Sequence, residues 1–104
     1  MAKIGTFTKN TDGIYMGTVK TLVLNAKLEI APVEQNGEKA PGYRVYSDGS
    51  EVGAGWEKTS EQGTWYLSLK LDDPALPAAI YASLFKDQDA DSEYSLLWQR
   101  PNSR

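Results

Sequence analysis

A chain of 104 residues, with 40% hydrophobic and 24% charged side chains, suits one globular domain and excludes a disordered or fibrous protein. Fourteen acidic against eleven basic residues give a formal net charge of -3, which provides no general attraction to nucleic acid or anionic membranes. Histidine and cysteine are absent, so imidazole bases, thiolate nucleophiles and most zinc sites are excluded.

The sequence also bears on location. It contains no apolar run of the roughly 18 residues that a membrane span needs, and residues 1–5 lack the apolar core of a signal peptide. Because cysteine is absent, there is no disulfide framework, and this agrees with a reducing compartment. The sequence therefore predicts a cytoplasmic protein.

Apolar and polar residues alternate along much of the chain, and this period of two is typical of strands with one buried face. The alternation is strict over residues 22–30 and returns over residues 65–72. In chain order, we predict strands at residues 3–8, 14–20, 21–31, 43–47, 51–58, 64–71, 80–85 and 94–99. The sequence therefore predicts a single all-β domain, mainly antiparallel. We expect a meander, small barrel or sandwich of about seven to eight short strands, with at most one helical turn.

The clearest predicted hairpin joins residues 43–47 to residues 51–58 through Asp48-Gly49-Ser50. Gly49 can take the positive φ that a tight connection requires. In the second arm, Val52, Ala54 and Trp56 are predicted to share one face, and strand bending explains the glycines between them better than a ligand does.

The three tryptophans, Trp56, Trp65 and Trp98, fall in phase with the apolar faces of their predicted strands. Because large rings anchor the core of a small β domain, we predict that all three are core residues.

Carboxylates are concentrated in two places. Asp72 and Asp73 are adjacent, so on a strand they would point to opposite faces, and turn formation or capping of a helical turn at residues 73–79 explains them better than acid–base work. The acidic segment 87–93 loosely resembles the start of a calcium loop, but Ser92 and Trp98 stand where glycine and a bidentate glutamate are required. We therefore predict no metal and no cofactor.

A third group combines aromatic rings with cations on the faces opposite the predicted core. Its members are Arg44, Tyr46, Tyr66, Lys70, Tyr81 and Arg100, with Phe85 and Lys58 close by. A surface that binds single-stranded nucleic acid needs rings that stack with bases and cations that neutralise phosphates. Exposed aromatic residues also mark protein interfaces. We predict that these six residues form a binding face.

Several segments together resemble a known family over nearly the full length of the chain, in the expected order. They are Ile4-Gly5-Thr6-Phe7, Pro41-Gly42-Tyr43-Arg44-Val45, Glu51-Val52-Gly53-Ala54-Gly55-Trp56 and Leu96-Leu97-Trp98-Gln99-Arg100-Pro101. The chain resembles the small bacterial family catalogued as domain of unknown function 736. This resemblance implies an accessory protein of plasmids or conjugative elements in the bacterial cytoplasm, and it supplies no catalytic residues.

The function expected from the sequence is noncatalytic binding in mobile-element biology. The net acidity favours a protein partner over single-stranded nucleic acid, and inhibition of a host defence nuclease complex is one alternative. A divalent-metal-dependent enzyme that uses Asp72, Asp73 and segment 87–93 is another. Self-association through exposed strand edges is a third possibility.

Overall fold

The computed structural model describes residues 2–22, 24–87 and 92–98, which form eight strands joined by turns and loops. The strands are β1 (Ala2–Lys9), β2 (Tyr15–Lys20), β3 (Asn25–Pro32), β4 (Tyr43–Ser47), β5 (Ser50–Thr59), β6 (Trp65–Leu71), β7 (Ile80–Lys86) and β8 (Glu93–Trp98). The predicted all-β class is therefore confirmed. This described part of the chain contains no helix long and apolar enough to cross a membrane.

The strands form a closed antiparallel barrel in which each strand pairs with its neighbours in sequence, and β1 pairs with β8 to close it. In such an up-and-down barrel, every even-numbered strand starts at the same end. Closure also pairs each of the eight described strands on both sides, which removes the free edges through which small sheets associate.

The core fills the inside of the barrel with alternate residues of every strand. Its largest fully buried side chains are Tyr15, Phe7, Ile30, Leu67, Leu69, Leu84, Leu96, Val19 and Val45. The strict alternation of residues 65–72 is explained directly, since Leu67, Leu69 and Leu71 are buried while Tyr66, Ser68 and Lys70 point outward.

A β-bulge in β5 overturns one prediction. The register shifts between Val45 and Tyr46 of β4, so that Val45 pairs with Gly53 and Tyr46 with Glu51. The extra residue, Val52, packs against the core, and the strand then changes phase. Trp56 consequently faces outward opposite Ser68, so its assignment to the core was wrong. Val52 and Trp56 do not share a face.

The other two tryptophans follow the inward phase. Trp65 is half-buried and packs against the core. Trp98 is half-buried and pairs with Ala82, a core residue.

Two strand glycines allow neighbouring strands to approach closely. A Cβ on Gly17 would overlap the carbonyl oxygen of Thr6 and lie 2.7 Å from Cγ of Phe7. A Cβ on Gly53 would likewise overlap the carbonyl oxygen of Lys70. Packing space, and not room for a ligand, therefore explains glycine at both positions.

Local hydrogen bonds shift some predicted boundaries. The third strand begins at Asn25, not at residue 21, because Thr21 closes a turn: its amide donates to the carbonyl of Leu24 (2.8 Å), and its hydroxyl accepts from the amide of Leu24 (3.1 Å). Leu22 is consequently fully exposed, although the alternation predicts it buried.

The hairpin between β4 and β5 confirms its predicted turn. Asp48 and Gly49 both have positive φ, 51° and 82°, as a two-residue connection of this twist requires.

At residues 73–79, the chain makes a turn and no helix, with the amide of Leu76 donating to the carbonyl of Asp73 (2.8 Å).

Candidate functional site

Three of the six predicted binding residues lie in one row across the outside of the barrel. Arg44 of β4 pairs with Ala54 of β5, Ala54 pairs with Lys70 of β6, and Lys70 pairs with Tyr81 of β7. Directly opposed residues on one face of an antiparallel pair lie about 5 Å apart. Ala54 is only 8% exposed, so it forms the floor of this row, and Tyr81 stands out from it with 59% of its surface exposed.

Tyr66 lies on the same side of the barrel, four residues from Lys70 along β6. Its ring stacks on Phe85 of β7, with centroids 5.0 Å apart and planes 22° from parallel. Lys58 of β5 pairs directly with Tyr66. The surface thus repeats one motif at each end, a lysine and a tyrosine facing each other on adjacent strands.

The other two predicted residues are not part of this arrangement. Tyr46 points outward, but it pairs with Glu29 on one side and Glu51 on the other. Arg100 lies outside the described residues. Arg44 is also partly neutralised, because its Nη1 lies 3.3 Å from Oε2 of Glu51.

We define the outer face as the nine outward positions of β5, β6 and β7 that follow the bulge. They are Ala54, Trp56, Lys58, Tyr66, Ser68, Lys70, Tyr81, Ser83 and Phe85. These nine positions contain four aromatic side chains, two lysines and no carboxylate. The small side chains Ser68 and Ser83 pair with each other at its centre and leave a shallow floor between the rings.

The opposite side of the barrel has a different surface. Nine of the outward positions of β1, β2 and β3 are Thr6, Thr8, Met16, Thr18, Lys20, Asn25, Lys27, Glu29 and Ala31. None of these nine side chains is aromatic. The combination of rings and cations is therefore confined to one side of this outer surface.

Trp56 belongs to the outer face because of the bulge, and the sequence pattern missed it. Its indole Nε1 donates to the carbonyl of Lys39 (3.0 Å), which ties the loop between β3 and β4 to β5. Next to it lies a surface groove of about 320 Å³, whose lining includes Arg44, Lys70 and Glu51. Recognising Trp56 from the sequence would have required locating the extra residue in β5.

A separate aromatic cluster closes one end of the barrel, which we call the tyrosine end. Tyr15, Tyr43 and Trp65 are the first residues of β2, β4 and β6, and Tyr94 is the second residue of β8. Tyr15 is the centre of this cluster: its ring lies edge-on to Tyr94 (4.9 Å) and to Tyr43 (6.1 Å). The recurrence of an aromatic residue at the start of every even strand is the signal that could have revealed it.

Burial controls the chemistry of the tyrosine end. Burial, with smaller contributions from Tyr43 and Tyr94, raises the pKa of Tyr15 far above its ordinary value of 10.0. Burial and the hydrogen bond that the Tyr43 hydroxyl donates to Oε1 of Glu57 (3.1 Å) raise the pKa of Tyr43 to about 12. Both phenols therefore stay protonated at neutral pH and act as hydrogen-bond donors, not as bases.

Two of the described carboxylates considered for chemistry make structural hydrogen bonds. Oδ2 of Asp73 accepts from the amide of Ala75 (2.9 Å), as its predicted turn role requires, and Oδ1 of Asp87 accepts from the hydroxyl of Ser95 (2.6 Å). Within residues 2–22, 24–87 and 92–98, no group of three or more carboxylates is placed to hold a metal ion. Residues 88–91 of the acidic segment lie outside the described residues. The metal-dependent enzyme stays a prediction.

The fold and this surface define the class of the protein: a small, closed, eight-stranded antiparallel β-barrel with a filled interior and one cationic, aromatic outer face. The chain belongs to the family described as protein of unknown function (DUF736), whose family model matches residues 3–101. This match confirms the resemblance found in the sequence. Comparison with curated proteins finds no match, and comparison with solved structures finds none.

Proposed function

We propose that the protein is a noncatalytic binding module whose outer face binds single-stranded nucleic acid. The observation that carries this proposal is the concentration of aromatic rings beside lysines on one side of the barrel. The outer face holds four aromatic side chains and two lysines without a carboxylate, although the whole chain has a net charge of -3. Every base has a flat face that can stack on an aromatic ring, so stacking tolerates any nucleotide sequence. Lysines neutralise the phosphates between the bases.

The arrangement of the outer face supports an extended ligand. Tyr81 and Lys70 form a directly opposed pair at one end, and Tyr66 and Lys58 form another at the other end. Four residues of antiparallel strand separate these rows along β6, which corresponds to about 13 Å. A flexible strand can therefore place a base on a ring and a phosphate near a lysine at both ends.

Local charge also supports one of the two classes of partner considered for this surface. Lysine is depleted at protein interfaces, whereas phosphate contacts dominate nucleic-acid affinity. The net acidity of the chain, which favoured a protein partner, is not a property of this surface, since the nine positions of the outer face carry no acidic side chain. Local composition therefore favours nucleic acid.

The proposal is tested by fluorescence anisotropy of labelled single-stranded DNA and RNA oligomers of about 16 nucleotides. The protein is titrated into each oligomer at low and at moderate salt, on the order of 50 and 200 mM. We expect saturable binding that weakens with salt. Flat titrations at low salt with both oligomers would contradict the proposal.

Two variants and two matched controls locate the binding surface. Tyr81→Ala should weaken binding by about 5-fold to 160-fold, since one base–ring stack contributes about 1–3 kcal/mol. Lys70→Ala should lower the slope of affinity against salt by about 0.7, the value for one phosphate contact on a single strand. Tyr46→Ala and Lys27→Ala remove the same side-chain types from outward positions away from the outer face, and both should leave the affinity within about twofold.

One observation favours a protein partner as a second candidate. The groove beside Trp56 contains both charge signs, with Arg44 and Lys70 against Glu51 and Asp72. Tryptophan and arginine are the residue types that most often dominate protein interfaces. Affinity capture with wild type and with Glu51→Arg tests this: a partner that the charge reversal releases supports it, and equal capture contradicts it.

The biological setting is part of the proposal and has a separate basis. The role on plasmids or conjugative elements, the cytoplasmic location and the inhibition of a host defence nuclease complex rest on the family resemblance and on net charge. They stay predictions. The binding experiments above do not depend on them.

A further inference from the structure

The two ends of the barrel are filled differently. The tyrosine end is closed by four large rings, whereas the opposite end, which we call the open end, retains a cavity of about 230 Å³. The cavity is lined by Val19, Leu24, Ala26, Leu28, Ser47, Ser50, Val52, Leu71, Asp73, Ala75 and Leu76. Four of these residues, Ala26, Ser47, Ser50 and Ala75, have small side chains.

Most of this cavity is apolar. Its floor is formed by the core residues Val19, Leu28 and Leu71, and Leu24 and Leu76 contribute to its walls. A cavity of about 150 Å³ lined by aliphatic and aromatic side chains is known to bind benzene, so 230 Å³ accommodates about nine non-hydrogen atoms. The size suits a short hydrocarbon chain.

The polar groups that line the cavity include one carboxylate and no cation, so they favour a positively charged head group over an anionic one, while hydroxyls can either donate or accept hydrogen bonds. These polar groups are the hydroxyls of Ser47 and Ser50 and the carboxylate of Asp73, and no lysine or arginine is among the lining residues. Oδ2 of Asp73 accepts from the amide of Ala75 (2.9 Å), which fixes the position of the carboxylate in the turn. An anionic head group would meet this carboxylate without a compensating cation.

We propose that the open end binds a small amphiphile that has a hydrocarbon body and a protonated amine head. The hydrocarbon occupies the apolar cavity, and the amine lies against Asp73 and the two serine hydroxyls. This inference goes beyond the proposed function, because none of the lining residues belongs to the outer face. Either site can therefore fail in its own test without affecting the other.

Nuclear magnetic resonance titration of the isotope-labelled protein with hexylammonium tests the proposal, with hexanoate and 1-hexanol as probes of equal chain length. We expect hexylammonium to shift the amide signals of Ala26, Val52 and Leu76 saturably. Its affinity should exceed that of hexanoate by about tenfold, since one charge near a partly exposed carboxylate contributes on that scale. Hexanoate binding as tightly as hexylammonium, or no saturable shift at these amides, would overturn the proposal.

Substitutions separate the cavity from the head-group site. Ala26→Phe fills the cavity and should abolish the shifts, while Ala31→Phe places the same ring outside the cavity on the same strand and should preserve them. Asp73→Asn keeps an oxygen that can accept from Ala75, so the turn should persist. This variant should reduce the preference for hexylammonium over 1-hexanol to about one, and an unchanged preference would contradict the role of the carboxylate.

Discussion

Substitution of Gly17 by alanine tests the close packing of β1 against β2. Gly17 pairs with Phe7, and an added Cβ would overlap the carbonyl oxygen of Thr6. It would also lie 2.7 Å from Cγ and 2.8 Å from Cα of Phe7. Two of these three atoms belong to the backbone, so no side-chain rotation relieves the overlap, and the strands must move apart.

The expected cost follows from this geometry. Overpacking a core costs about 1–3 kcal/mol, and the upper end applies here because backbone must shift. A domain of this size has a free energy of unfolding of about 5–15 kcal/mol, so the loss is a large fraction of the total. At roughly 4 °C per kcal/mol for a chain of this length, the Tm should fall by at least about 10 °C.

Gly42 provides the matched control. A Cβ on Gly42 would meet nothing within 4 Å. Gly42→Ala should therefore leave stability unchanged or raise it by up to about 1 kcal/mol, through a less flexible unfolded chain. Urea and thermal unfolding of both variants measure the difference. Free energies of unfolding within about 1 kcal/mol of each other would refute the packing described for β1 and β2.

Two further predictions concern the tyrosine end and Trp56. Because the folded-state pKa of Tyr15 and Tyr43 lies above the ordinary value of 10.0, their contribution to stability is complete below pH 10 and is lost as pH rises towards 12 and beyond. Urea unfolding across this window should show the loss. Tyr43→Phe should make the fall in the free energy of unfolding with pH shallower. An unchanged pH dependence would contradict the assignment of part of this fall to Tyr43. Trp56→Phe removes the hydrogen bond to Lys39 and should speed amide hydrogen exchange at Val33 and Ala40 while β6 keeps its protection. Equal exchange in both proteins would show that the indole does not hold the loop.

The strands were predictable because alternation records which face of each strand is buried. Residues 43–47 and 64–71 were predicted to within one residue of β4 and β6, since glycine or polar turn residues bound them. At β3 the alternation extended falsely to Leu22. The pattern continues there by chance, and the side-chain hydrogen bond of Thr21 ends the pairing with β2.

Closure into a barrel was not predictable from the alternation alone. An open sheet, a sandwich and a barrel require the same period of two, and the pairing of β1 with β8 joins opposite ends of the chain. The same limitation explains why the alternation wrongly predicts Trp56 as a core residue. A bulge inserts one residue and inverts the phase, and nothing in the alternation marks Val52 as the extra residue.

The arrangement of the outer face was predictable in part. The sequence predicts Arg44, Lys70 and Tyr81 as outward residues of separate strands, and the register places them in one row. The same pattern predicts Tyr46 as an outward residue, but its neighbours across the strands are Glu29 and Glu51. Which outward residues meet depends on register, and register is not visible in the composition of any single strand.

Chemical-shift mapping tests most directly whether the outer face binds single-stranded nucleic acid, as we propose. An unlabelled single-stranded oligomer is titrated into isotope-labelled protein at low salt. We expect saturable shifts at Ser68, Lys70, Tyr81 and Ser83, with the signals of Thr6, Thr18 and Lys27 on the opposite side unchanged. Shifts spread evenly around the barrel, or confined to the opposite side, would contradict it.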